Sequence, residues 1–139
     1  MGTRALVNFA KAPDDLWATV YVHSVGYPTG VGAKLKACFL GAVMRNGIRD
    51  DVKQVNGAGC AAAQFIAAEK HGPGHIYVYK TGATDVGEHY IYTVYGDDNA
   101  PLRLKVQSVF PRSEGGQVLY DGPLDDFDPD AAEKQETDD

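Results

Sequence analysis

At 139 residues, 44% hydrophobic and 23% charged, the chain has the size and composition of one globular domain able to bury a core. A second catalytic domain, a fibrous protein and a wholly disordered one are not expected. The formal charge of −6 is unevenly spread: nine acids and one base, Lys134, from Asp121 onward leave residues 1–120 with twelve bases against ten acids. Like charges repel and the acidic end carries little apolar surface, so residues 128–139 are expected to be a disordered tail behind a folded domain at 1–127. The nearly neutral body lacks the basic field that binding to duplex nucleic acid requires. Apolar runs such as 16–22 and 61–63 fall far short of the roughly 18 residues of a membrane span. Residues 1–6 carry no basic segment leading into an apolar stretch, so a cytoplasmic location is expected. Two cysteines, Cys38 and Cys60, are too few for a disulfide framework and are expected to be thiols.

Residues 4–9 alternate loosely, 16–22 are aromatic and β-branched, and Ala12-Pro13-Asp14-Asp15 between them is turn chemistry, which predicts a β-hairpin. Residues 24–32 hold three glycines and a proline and predict a shaped loop. The apolar spacing of Leu35, Cys38, Phe39 and Ala42 predicts an amphipathic helix from Val31 that Asn46-Gly47 stops. A polar connection leads to a second, small-residue helix over 59–71, ended by Gly72-Pro73. The period then falls to two, with strands predicted over 75–80, 88–95, 102–110 and 117–120. The order ββααββββ indicates an α+β fold with a mostly antiparallel sheet and two helices on one face.

The usual signatures of phosphate loops, zinc helices, nucleophile elbows and Cys-x-x-Cys pairs are missing from the sequence. Gly30-Val31-Gly32 and Gly57-Ala58-Gly59 each precede a helix, where backbone N–H groups can hold an anion, although turn geometry alone also calls for such glycines. Tyr77 and Tyr79 share one strand face, and Tyr90 and Tyr92 share another. If those strands pair, four tyrosines make one aromatic surface fit to stack a base or close a subunit interface, against the plainer reading of cross-strand packing. His71 and His75, with Cys60, His23 and His89, raise a zinc hypothesis, but the intervening Gly-Pro-Gly reads as a helix stop and no metal is assigned. Cys60, opening a helix with His75 and His89 on strands, has the layout of a small papain-like hydrolase, yet no orienting Asn or Asp is identified.

Two stretches carry a resemblance. Val20-Tyr21-Val22-His23-Ser24-Val25-Gly26-Tyr27-Pro28-Thr29-Gly30-Val31-Gly32 and Asn56-Gly57-Ala58-Gly59-Cys60-Ala61-Ala62-Ala63-Gln64-Phe65 resemble small bacteriophage proteins of the Thoeris anti-defence type. The resemblance implies a phage-encoded homo-oligomer that sequesters a cyclised ADP-ribose signal, and related cyclic oligonucleotides, in pockets between subunits. It implies neither catalysis nor a cofactor. Such a ligand needs Arg or backbone donors for phosphates, aromatic faces for the base and carboxamides for hydroxyls. The candidates are Arg103 and Arg112 for phosphates, His23, Tyr27 and Asn56 in the shaped loops, and Tyr90 and Tyr92 for stacking. Arg45 and Arg49 flank the Asn46-Gly47 stop, and Lys105 shares a strand face with Arg103. A third reading is a structural or partner-binding phage protein that uses the tyrosine face and the acidic tail.

Overall fold

A computed structural model describes residues 3–48, 52–109 and 116–138. The predicted hairpin forms: β1 (Ala5–Ala12) and β2 (Asp15–Val22) pair antiparallel, with Pro13 and Asp14 as the turn. β5 (Ile76–Tyr79) adds to the outside of β2, and β6 (Tyr90–Tyr95), β8 (Arg103–Ser108) and β9 (Gln117–Pro123) continue the sheet from the other side of β1. The order is β5-β2-β1-β6-β8-β9, and β1 runs parallel to β6 while every other neighbour is antiparallel. The fold is α+β with a mostly antiparallel six-stranded sheet.

Alternation along β1 divides the sheet into two faces. Ala5, Val7 and Phe9 point into the main core with Val20, Tyr92, Val94 and Leu104. The two predicted helices, α1 (Ala33–Phe39) and α2 (Gly57–Glu69), cover this face. Phe39 meets Phe9 edge-on at 6.3 Å, and Phe65 lies 5.9 Å from the same ring. The alanines of α2 allow it to lie close, since Ala58, Ala61 and Ala62 are buried beside Phe65. On the opposite face, the connection from β5 to β6 passes over β2 and β1. There the Gly82 N–H donates to Thr19 Oγ1 at 2.8 Å and the Thr19 hydroxyl donates to Asn8 Oδ1 at 2.7 Å. This crossing keeps two polar side chains of the covered face hydrogen-bonded.

α1 is shorter than its apolar spacing suggested. It ends at Phe39, and Gly41 in the left-handed region (φ 80°) turns the chain, so Asn46-Gly47 stops no helix. The chain instead forms β3 (Val43–Met44), which pairs with β4 (Gln54–Val55) and β7 (Ala100–Pro101) in a small second sheet. The glycine-rich loop is held in a strained shape. Val25, a β-branched residue, sits at φ 54°, and its carbonyl accepts the Val31 N–H at 2.9 Å. A Cβ at Gly30 would strike that carbonyl oxygen, so the loop needs glycine there.

The acidic end differs from the expected disordered tail. After β9, residues Leu124–Asp126 make a single 3-10 turn and Pro129–Asp138 form a helix, α3. Leu124 and Phe127 are fully buried, Ala132 is buried, and Glu133 accepts hydrogen bonds from the Thr29 hydroxyl and N–H at 2.9 and 3.2 Å. Lys36 donates to the Phe127 carbonyl at 2.6 Å. A few apolar anchors in an acidic background are enough to dock the segment along the start of α1.

The predicted four-tyrosine surface also fails. β5 and β6 are separated by β2 and β1, so Tyr77 and Tyr79 cannot join Tyr90 and Tyr92. Tyr21 takes the place of the second pair, stacking on Tyr79 at 4.7 Å with Tyr77 at 5.9 Å.

A two-lobed cleft at the amino end of the second helix

The two parallel strands finish side by side, and a cleft opens just beyond them. β1 delivers Lys11 on its last turn of strand, and β6 is followed by Gly96, Asp97 and Asp98. The small sheet supplies the other wall. Met44 and Arg45 are held because the Arg45 N–H donates to the Val55 carbonyl at 3.0 Å and the Asn99 N–H donates to the Met44 carbonyl at 2.6 Å. The floor is the first turn of α2, which Gly57 (φ 88°) allows to start directly after β4. Trp17, 53% exposed, stands at the rim from β2, with the Lys11 ammonium 5.1 Å from its ring centre.

The cleft has two lobes that share Lys11, Gly57, Ala58 and Asp98. The larger, about 390 Å³, adds Trp17, Arg45, Asn46, Asn56, Gly59 and Cys60, and the smaller, about 250 Å³, adds Met44, Gly96 and Asp97. In the larger lobe three positive features converge. α2 has thirteen residues, no side chain caps its amino end and no acid lies in its first turn, so its free N–H groups and dipole remain to attract an anion. Lys11 adds a charge beside it. Arg45 adds a guanidinium, whose Nε is buried and has no hydrogen-bond partner among the described residues.

Of the residues expected to form a site, the structure brings only Asn56 here. Its Oδ1 accepts the Gly47 N–H at 2.8 Å, and Gln54 also bonds the Gly47 carbonyl, so Asn46-Gly47 serves to shape the cleft wall beside Arg45. Arg103 lies on β8 in an exposed chain in which its Nε donates to the Tyr95 hydroxyl at 3.3 Å and that hydroxyl donates to Asp121 at 2.9 Å. The hydrogen bond to Tyr95 raises the Arg103 pKa further above its ordinary value. His23 is an exposed residue after β2, with Nδ1 3.0 Å from the Tyr21 hydroxyl. Tyr27, 37% exposed, precedes the π-helical turn at Pro28–Gly32. Tyr90 and Tyr92 are corrected from stacking platforms to core residues: Tyr92 is 0% exposed and its hydroxyl donates to the Gly26 carbonyl at 2.6 Å. Arg112 and Arg49 lie outside the described residues.

The Cys60–histidine layout does not assemble. Cys60 lines the larger lobe on the first turn of α2, whereas His71 and His75 follow the other end of this thirteen-residue helix, which lies roughly 14 Å from Cys60 at 1.5 Å per residue. His89 precedes β6, at the opposite end of that strand from Gly96. His75 instead lies beside Ser24, with Nδ1 3.3 Å from its hydroxyl. Among the described residues no three His, Cys, Asp or Glu side chains gather as a metal site. Burial raises the Cys38 thiol pKa above its ordinary value, which suits a packing residue on α1.

No protein-family model, curated protein or solved structure matches the chain. Function therefore has to be argued from the chemistry of the cleft. Lys11, Trp17, Asp97 and Asp98 are its unanticipated members, whereas Arg45 is one of the cations that the sequence sets beside the Asn46-Gly47 pair. One signal in the sequence did point here, the Gly57-Ala58-Gly59 helix opening read as an anion seat.

Proposed function

We propose that this protein is a non-catalytic binding protein that holds a phosphorylated nucleotide in the cleft at the amino end of α2. The observation that carries the reading is the convergence of the uncapped helix, Lys11 and the unpartnered Arg45 Nε beneath an exposed Trp17. A phosphate satisfies the donors, the outer face of the indole stacks a base, and Asn46 and Asn56 offer carboxamides. Among the described residues no histidine lines either lobe, so Cys60 lacks there the imidazole partner of a papain-like site.

The resemblance of the Gly-Tyr-Pro loop and the α2 opening to Thoeris anti-defence proteins supplies the biological setting. The ligand is then a cyclic nucleotide immune signal, a cyclised ADP-ribose or a cyclic oligonucleotide, hidden by a phage-encoded homo-oligomer in the cytoplasm of the infected cell. Sequestration acts by mass action, so affinity and copy number set its potency. No described helix is long and apolar enough to cross a membrane.

The test is a thermal-shift screen against cyclised ADP-ribose isomers, cyclic di- and trinucleotides and linear ADP-ribose, with mass spectrometry of the recovered ligand. At 100 times Kd, binding adds about 2.7 kcal/mol and raises Tm by several degrees. The expected result is a shift with intact ligand, lost in Arg45→Ala. No shift with any of these ligands refutes the reading, and a chemically altered ligand refutes its non-catalytic part.

A further inference from the structure

The hairpin that leads into the cleft is irregular at its tip. Phe9 faces Ala18, Ala10 faces Leu16 and Ala12 faces Asp15, so the register steps over one residue on each strand, Trp17 on β2 and Lys11 on β1. A bulge of this kind leaves its extra residue unpaired and re-aims its side chain. The two residues so released are the two that β1 and β2 contribute to the cleft: Lys11 lines both lobes and Trp17 the larger one. The Thr81 hydroxyl donates to the Trp17 carbonyl at 3.3 Å and ties the bulge of β2 to the connection that follows β5.

The bulges also bring the pair together. The Lys11 ammonium stands 5.1 Å from the centre of the indole, within reach of a cation–π attraction. Among the described residues it makes no ion pair, Asp97 and Asp98 included. A lysine on its flexible four-carbon stem otherwise loses rotamer entropy when it settles on an anion. Held against the ring, Lys11 has lost part of that freedom before a ligand arrives, and a preorganised donor binds more tightly for that reason.

Resting on the nucleotide reading of the cleft, we infer that Trp17 is the positioning residue for Lys11. The indole holds the ammonium where the two lobes meet, so one side chain serves both halves of the ligand, the base by stacking on its outer face and the phosphate through Lys11. Ring and anion are then recognised by one element of the hairpin and not at two independent subsites. The consequence is specific: an anion that has no ring still loses affinity when the indole is removed.

Calorimetric titration with inorganic phosphate separates this role from stacking. The wild-type protein is expected to bind phosphate about two- to fivefold more tightly than Trp17→Leu, the range that an exposed cation–π pair spans. Trp17→Phe, which keeps a ring face for the ammonium, should recover most of that loss. In a Lys11→Met background the further change Trp17→Leu should leave phosphate affinity unchanged, because the residue through which the ring acts is gone, whereas a merely structural effect of the leucine would persist there. Trp17 is 53% exposed, so these substitutions empty no core site. Equal phosphate affinity in wild type and Trp17→Leu, no recovery in Trp17→Phe, or the same loss with and without Lys11 overturns the inference and leaves the nucleotide reading intact. If neither phosphate nor adenosine 5′-monophosphate binds the wild-type protein, the nucleotide reading falls first and takes this one with it.

Discussion

Replacing Phe127 by alanine tests whether the acidic end is part of the folded body. Phe127 is fully buried, its ring centre lies 5.1 Å from that of Tyr120, and its edge reaches Gly32 so closely that a Cβ there would sit 3.0 Å from Phe127 Cε2. Emptying a buried phenylalanine site costs about 3–5 kcal/mol, a large share of the roughly 5–15 kcal/mol that a domain has. For a chain of 139 residues, each kcal/mol moves Tm by about 3–5 °C. Phe127→Ala should therefore lower Tm by about 10–20 °C. Truncation after Phe127 should cost far less, about 1–3 kcal/mol, because it removes only the seat of Ala132 and the Glu133 bonds to Thr29. Thermal and urea unfolding followed by circular dichroism on both variants gives the comparison. A Phe127→Ala melt within 3 °C of wild type, or a truncation that hurts more than the point change, would refute the docked arrangement.

Two further outcomes follow from buried groups. Tyr92→Phe deletes the hydroxyl that donates to the Gly26 carbonyl in the core, so the urea midpoint should fall by an amount worth about 1–3 kcal/mol with m unchanged; an unaltered midpoint contradicts the role given to that bond. Burial raises the pKa of the Cys38 thiol from 9.0 and of the Tyr21 phenol from 10.0. Both groups hold their protons more tightly when folded, so their contribution is fully present below pH 9 and is lost as pH climbs through the raised values. Stability measured from pH 7 to 11 should stay level and then decline, and Cys38→Ala with Tyr21→Phe should flatten the decline.

What the sequence made legible is what short-range physics decides. Period-two alternation around Pro13-Asp14 is enough to specify the β1–β2 hairpin, and Gly57-Ala58-Gly59 before an alanine-rich run marks the start of α2 within two residues. Pairing of β6 with β1 joins residues more than eighty positions apart, and nothing in 88–95 says which edge it will take. Strands of two residues, such as β3 and β4, are too short to show a period. The acidic end misled because averaging its charge hid Leu124, Phe127 and Ala132, three apolar residues that suffice to anchor it. Beyond the Gly57-Ala58-Gly59 opening, the cleft was hidden for the first of these reasons. Lys11, Arg45 and Asp98 lie on separate segments with no common motif, and only the sheet order brings them together. Arg103, by contrast, stood on a well-predicted strand and still proved to face Tyr95 and Asp121.

The sheet order also explains why the cleft lies where it does. In a run of antiparallel strands each end of the sheet is closed by hairpins, and little room is left there for a ligand. In the six-stranded sheet the one parallel pair, β1 with β6, breaks that pattern, because parallel neighbours cannot be joined by a tight turn and their carboxyl ends stay open side by side. Ligands of open parallel sheets bind beyond those carboxyl ends, next to helix amino ends. This chain reproduces that geometry once, with Lys11 ending β1, Gly96 to Asp98 following β6, and α2 beginning beside them. The other end of the sheet carries His23, Ser24, His75 and the strained Val25, and there the acidic helix α3 has docked its Glu133 on Thr29. One end is thus stitched to the chain's own carboxylate, while the other keeps Arg45 Nε and the amino end of α2 unsatisfied. A buried guanidinium nitrogen without a partner and a helix amino end without a side-chain cap are donors in want of an acceptor, and that asymmetry directs the search for a ligand to the cleft.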